Sequence, residues 1–273
     1  MTIFNNTYFD THQTDNYFLS GQVDLTGFSF AITNIDGICQ VLQTFTFSRA
    51  IVSYNDWAQE LDTIFRKEPL LKKKYKLSSW MFFSDKSTLI PEVFFAKDQL
   101  KTCLNYTSQL NDLDEVHHWK IYEQKAMCVF AVPSTPANII SKYQPNARFL
   151  HQQISLLEQM KNLKGANRAL LNVSSSFVDV LIFADNKLIL TNTYPVNAFT
   201  DVLYNLTFAL KTHNLLNCDL TLYCTGILEA ADENLLRSYY KDVKKLFNKT
   251  IRLHIGEKNA TAYYSLLTLV QCE

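Results

Sequence analysis

Three short stretches of the chain pair the residue types that hold phosphate and magnesium. In Val23-Asp24-Leu25-Thr26-Gly27-Phe28-Ser29 a carboxylate stands three residues before a glycine, between two apolar runs. A glycine there would let backbone N–H groups come close to an anion, and an aspartate could hold hydrated magnesium. In Asn172-Val173-Ser174-Ser175-Ser176 an amide stands where a carboxylate is wanted, and no glycine follows. The third stretch, Cys224-Thr225-Gly226, keeps one glycine after an apolar run. Together they give Asp24, Thr26, Gly27, Asn172, Ser174, Ser175 and Gly226 as candidate phosphate-facing residues. All three are incomplete for that chemistry, and a lone Asp or Gly is also ordinary turn chemistry. The shortage is general: 273 residues include six glycines, too few for several glycine-rich phosphate loops.

Other reactive arrangements are weaker. His117 and His118 are adjacent, so on a strand they point to opposite faces and cannot chelate one metal together. No metal site is expected. A two-metal nuclease centre needs several converging carboxylates, and Asp24 has only Asp179, on a later strand, as a distant candidate. Cys39, Cys103, Cys128, Cys218, Cys224 and Cys272 include no CxxC pair and sit mostly among apolar, strand-like neighbours, which predicts reduced core thiols. No Gly-x-Ser-x-Gly elbow, P-loop or dinucleotide fingerprint occurs. No catalytic residue is assigned.

The 26 basic and 26 acidic side chains cancel, which removes the long-range field of a dedicated nucleic-acid binder. One segment breaks the balance: Arg66, Lys67, Lys72, Lys73, Lys74 and Lys76 stand against Glu68 alone. It reads as a solvated loop at a helix C-terminus, where cations suit the dipole, with an acidic partner or nucleic acid as the alternative. The first twenty residues lack the basic start and apolar run of a secretory signal, and no run approaches the ~18 apolar residues of a membrane span. A soluble cytoplasmic protein is expected, in which Asn172-Val173-Ser174 and Asn205-Leu206-Thr207 are accidental sequons. The chain also has 19 Phe and 14 Tyr, some paired as in Tyr239-Tyr240 and Tyr263-Tyr264. Pairing puts rings on both sides of an element and predicts exposed aromatics at a protein-binding groove or dimer face.

The elements that must carry the turns form a repeated pattern. Residues 17–47 read as three strands, with Phe28, Phe30 and Ile32 alternating with Ser29, Ala31 and Thr33 as in a sheet with unequal faces. Turns fall at Thr26-Gly27 and Asp36-Gly37. Ser53 and Asp56 start a helix carrying Trp57, Leu61, Ile64 and Phe65, and a strand follows over 77–83. The same order returns from Arg168: strands over 170–173, 177–183 and 187–191, a helix after Pro195 carrying Ala198, Val202, Leu206 and Ala209, and a strand over 219–225. Asp232 is placed as the cap of a further helix carrying Leu235, Tyr239, Val243 and Leu246. Between the units lie Pro133, Pro136, Pro145 and an amphipathic helix with Ile154, Leu157 and Met160, which Gly165 would stop. The boundary is placed there, giving a first half 1–164 and a second half 165–273.

Three strands, a helix and a strand, occurring twice, is the layout of the actin-like ATPase and ribonuclease H-like architecture, an α/β fold of two mixed sheets flanked by helices. There a nucleotide lies between the halves. Its phosphates touch the first hairpin turn of each half and a later turn supports adenosine, which is where the three incomplete stretches fall. Asp24-Leu25-Thr26-Gly27-Phe28-Ser29-Phe30, Asn192-Thr193-Tyr194-Pro195, Asp201-Val202-Leu203-Tyr204 and Leu220-Thr221-Leu222-Tyr223-Cys224-Thr225-Gly226 also resemble the bacterial family known as domain of unknown function 3822. That resemblance implies a duplicated actin-like fold and brings no catalytic residues with it. The expectation is a non-catalytic scaffold or protein-interaction module whose partner is another protein or a second copy, with no bound cofactor. One alternative is an ATP-binding enzyme, an ATPase or small-molecule kinase, with ATP and magnesium held by Asp24, Gly27 and Gly226. A second is a nucleic-acid-associated protein using residues 66–76.

Overall fold

The hairpins around Thr26-Gly27 and Ser174 to Ser176 open two sheets of matching design. The computed structural model describes residues 1–216, 218–248, 254 and 256–272. The first part of the chain runs β1 (Thr2–Asn5), β2 (Phe18–Val23), β3 (Gly27–Thr33), β4 (Cys39–Thr46), α1 (Tyr54–Lys67) and β5 (Leu77–Phe82). It continues with β6 (Ser87–Pro91), α2 (Leu100–Asn105), β7 (Asp114–Ile121), β8 (Ala126–Pro133), α3 (Ser134–Tyr143), β9 (Ala147–Leu150) and α4 (Gln152–Met160). The second part runs β10 (Arg168–Val173), β11 (Phe177–Ala184), β12 (Lys187–Pro195), α5 (Phe199–Thr212), β13 (Thr221–Gly226), α6 (Ala230–Tyr239) and β14 (Asp242–Lys245), then α7 (Glu257–Ala262) and α8 (Tyr264–Thr268).

The first sheet has the order β1-β4-β3-β2-β5-β9 and the second β12-β11-β10-β13-β14. In each, three consecutive strands, β2-β3-β4 and β10-β11-β12, form an antiparallel meander, and two later strands add in parallel on the side of its first strand, while β1 pairs antiparallel with β4 at the edge of the first sheet. Helices α1 and α5 make the equivalent crossovers, as parallel strands require. The duplication is therefore one of backbone plan. Between β5 and α3 the first part inserts a small antiparallel sheet, β6-β8-β7.

Local chemistry explains the elements that position the turns. Ser53 caps α1, its Oγ accepting from Asp56 N at 3.2 Å, and the helix buries Trp57, Leu61 and Phe65. Phe65 packs against Phe28 at 5.7 Å and Trp80 at 5.5 Å, which fixes β3 and β5 under the helix. The two faces of β3 are unequal as expected, and both are covered: all seven of its residues are buried, with Phe28 packed toward α1 and α8 against β2 and β3 from the other face. Leu266, Leu267, Leu269 and Cys272 thereby join the core that contains Leu19, Phe30 and Trp80.

Three expectations are corrected. The helix predicted through Leu246 stops at Tyr239, and Asp242–Lys245 is β14, in which Val243 is buried on the second sheet. Its apolar spacing fits a helix, but Tyr240 is already extended and docking beside β13 decides the outcome. Asp232 is not the cap: Glu229 holds that position, and Asp232 accepts from Glu229 N at 2.9 Å. Helix α4 is not amphipathic in the expected sense, since Gln152, Gln153, Ser155 and Gln159 are buried along with its apolar residues. It ends at Met160, and Gly165, at φ +104°, lies in the turn that leads into β10. Cys39, Cys128, Cys224 and Cys272 are buried, whereas Cys103 is half-buried and Cys218 exposed. Burial pushes the four buried thiols up to about 12, so they are inert at neutral pH.

Candidate functional site: the turns between the halves

The fold brings the three candidate stretches together. Ser175 Oγ in the β10–β11 turn approaches Asp24 Oδ2 in the β2–β3 turn at 3.5 Å. Gly226, at the end of β13, lies against Val173, with Ile227 N donating to Val173 O at 2.7 Å.

Their polar groups are already used. Asp24 Oδ1 accepts from Thr26 N at 2.7 Å, Thr26 Oγ1 at 2.6 Å and Gly27 N at 2.9 Å. The two backbone donors that would face a phosphate converge on this carboxylate, so the anion in the nest is the protein's own. In the second turn Ser174 Oγ accepts from Phe177 N at 3.1 Å, and Ser174 N donates to Phe177 O at 2.8 Å. Asn172 does not face the turn: it is buried and its Nδ2 donates to Asp179 Oδ2 at 2.9 Å.

The glycines serve packing. A Cβ on Gly27 would stand 2.0 Å from Phe45 O, and one on Gly226, where φ is +90°, would stand 2.0 Å from Val173 O. The space at the first turn, lined by Asp24, Thr26, Gly27 and Thr44 among others, is about 80 Å³. Pockets that take a drug-sized or nucleotide-sized ligand measure roughly 300–1,000 Å³.

Behind the turns, α4 locks the halves together through a buried polar network that sequence reasoning did not assemble. Gln152 Nε2 donates to Ser84 O at 2.6 Å on one side and to Asp179 Oδ1 at 3.2 Å on the other. Gln153 Nε2 donates to Thr193 Oγ1 at 3.1 Å, and Ser87 Oγ donates to Gln153 Oε1 at 3.2 Å. Thr193 Oγ1 in turn donates to Asp179 Oδ1 at 2.6 Å. Burial pushes the Asp179 carboxyl up to about 6, against the lowering effect of its three donors. Burial likewise drives His151 down to about 4, with Ser84 O at 3.0 Å from Nε2. Asp179 thus bonds Gln152, Asn172 and Thr193, side chains of the junction. The one sequence signal was an Asp on a strand that is otherwise apolar.

His117 and His118 lie on β7 beside Phe130 and Phe95 respectively. Among the described residues no group of three or more His, Cys, Asp or Glu is placed to hold a metal, and no helix is long and apolar enough to cross a membrane. Tyr204 and Phe208 stack at 6.1 Å on the open side of α5, and Tyr239 is exposed nearby while Tyr240 bonds Thr207 at 3.0 Å. Tyr263 and Tyr264 differ from expectation in that neither is exposed.

Comparison with known proteins places this geometry. The model of the family described as protein of unknown function (DUF3822) matches residues 5–246. Among curated proteins none matches the sequence. Among solved structures, a Bacteroides thetaiotaomicron protein with actin-like ATPase fold and unknown function superposes with a TM-score of 0.82 at 21% identity, covering 97% of this chain and 99% of its own. A chain of the PilM–PilN type IV pilus biogenesis complex superposes with a TM-score of 0.61 at 8% identity, covering 93% of this chain and 97% of its own. The fold is that of the actin-like ATPases.

Proposed function

We propose that this chain, which belongs to the DUF3822 family, is a cytoplasmic actin-like scaffold that works by binding another protein and does not hydrolyse ATP. The observation that carries the reading is the Asp24 turn: its backbone donors are bonded to Asp24 itself, and the pocket formed by this turn and β4 holds about 80 Å³. A phosphate group would have to displace a carboxylate held by three hydrogen bonds and to part the two turns. The exposed rings of Tyr204, Phe208 and Tyr239 support a role in association. The PilM–PilN complex offers a precedent for a chain of this shape held with a partner.

Thermal unfolding with and without millimolar Mg-ATP tests the proposal. A ligand present at 100 times its dissociation constant adds about 2.7 kcal/mol of stability, so the expected result is an unchanged Tm. A rise in Tm accompanied by phosphate release would overturn the reading in favour of an ATP-dependent enzyme using Asp24, Gly27 and Gly226.

A further inference from the structure

The most one-sided charge on the molecule lies at the end of the first sheet remote from the turns. Strands β2 and β5 run in the same direction in register, so the start of β5 is about 20 Å from the Asp24 turn, six residues at ~3.3 Å each. Residues 66–76 cover this end as the last turn of α1, a short 3-10 turn (Pro69–Lys72) and the approach to β5. Arg66 is paired with Asp62 at 2.5 Å. Glu68, the segment's one acid, is spent on Leu70 N at 3.1 Å. Lys67, Lys72, Lys73, Lys74 and Lys76 form no salt bridge among the described residues. Lys72 Nζ donates to Arg66 O at 2.5 Å and Lys76 Nζ lies 5.4 Å from the Phe18 ring centroid, and with Glu68 counted the five lysines leave an excess of four positive charges on a chain of zero net charge.

The same segment is shaped and held. Lys72, Lys73 and Lys74 line a concavity of about 330 Å³ whose walls include Tyr75, Tyr143 and Pro145. Its backbone is fixed from beneath: buried Gln144 donates through Nε2 to Leu71 O at 2.7 Å and to Lys73 O at 2.9 Å, and Tyr75 Oη donates to Leu70 O at 2.8 Å. A lysine cluster on an anchored loop loses less freedom on binding than one on a mobile loop.

We propose that this basic concavity docks an acidic peptide segment of a partner protein, with carboxylates on Lys72 to Lys74 and an aromatic or aliphatic side chain against Tyr143 and Pro145. The proposal rests on the scaffold reading and names the chemistry of its partner. Charge complementarity sets the sign of the ligand. Enclosure sets its class, because single-stranded nucleic acid is held along an extended groove with exposed stacking rings. Here Tyr75 is buried and Tyr143 is half-covered, with the Lys142 ammonium 5.0 Å from its ring centroid.

The test is fluorescence polarisation of the full chain with a fluorescein-labelled dodecapeptide of Asp and Glu flanking one Trp, at low and at physiological salt. Saturable binding is expected, weakened about tenfold or more by K73E/K74E, as for loss of close charge pairs, and less by K73Q/K74Q. K211E, on α5, should leave it unchanged. Circular dichroism melts establish that the variants fold, and should K73E/K74E misfold, K73Q/K74Q decides the matter. Absence of binding, equal binding by the lysine variants, or tighter binding of a single-stranded DNA dodecamer would overturn the proposal. None of these outcomes bears on the Mg-ATP melt, so the docking site and the scaffold reading fail separately.

Discussion

Two of the contacts between the halves are built on opposite terms. At the turns, Asp24 and Ser175 meet across 3.5 Å in a solvent-facing contact, and each turn satisfies its own backbone. At the α4 junction, Gln152, Gln153, Asp179 and Thr193 are at most 5% exposed, and each depends on a partner from another element. A polar contact in water contributes little because water replaces it, whereas a buried group that loses its partner keeps its full desolvation cost. Of these two contacts the α4 junction is the mechanical joint, alongside the apolar packing of α8 on the first sheet. The place where related folds put a nucleotide is a closed but lightly fastened rim.

The strongest way to break that contrast is by pH. Asp179 holds its proton more tightly folded than unfolded, so its contribution to stability is full below about pH 4 and is lost as pH rises through about 6. His151 is the reverse: its contribution is full above about pH 6.5 and is lost as pH falls through about 4. The two oppose each other in the wild type. Removing one in D179N should widen the stability gap to wild type by roughly 3 kcal/mol between pH 7 and pH 4, from a shift of about two pH units at ~1.4 kcal/mol each. Urea titrations at both pH values measure it, and an equal gap at the two would show that Asp179 titrates as it does in the unfolded chain.

Replacing Thr193 by Val keeps the shape but removes the 2.6 Å donor to Asp179 and the acceptor of Gln153. A loss of about 2 kcal/mol is expected. The loss should be larger at pH 8, where the carboxylate is charged, than at pH 5; the opposite order in paired denaturation curves would place the charge elsewhere. At the rim, D24A removes an acceptor that behaves like a helix cap and should cost about 1 kcal/mol, read as a shift in urea midpoint. S175A should stay within about 0.5 kcal/mol of wild type, and a larger effect would mean that the rim also fastens the halves.

Much of this was legible in the sequence where local chemistry decides structure. The Thr26-Gly27 turn, the Ser53 cap and the two meanders follow from residue types and spacing, and the duplicated plan follows from their order. The buried network was not legible, because glutamines at 152 and 153 read as the wet face of a helix until a second sheet is packed over them. Val243 was misread for a related reason. Its spacing from Leu235 and Tyr239 suits a helix, and only the neighbouring β13 makes it a strand. At the candidate site the sequence named turns that the fold brings together but not their self-sufficiency, since the direction of the Asp24 carboxylate depends on backbone geometry that composition does not encode.

The return of α8 to the first sheet has a consequence for synthesis. Leu266, Leu267 and Leu269 complete a core that Leu19 and Phe30 begin, so one face of the first sheet stays uncovered while some 240 intervening residues are made. At ~5–20 residues per second that interval is on the order of ten to fifty seconds. During it, the face that carries Ser20, Gln22, Ser29 and Ala31, opposite the aromatic face under α1, stays open, and its burial waits until the second half has been translated.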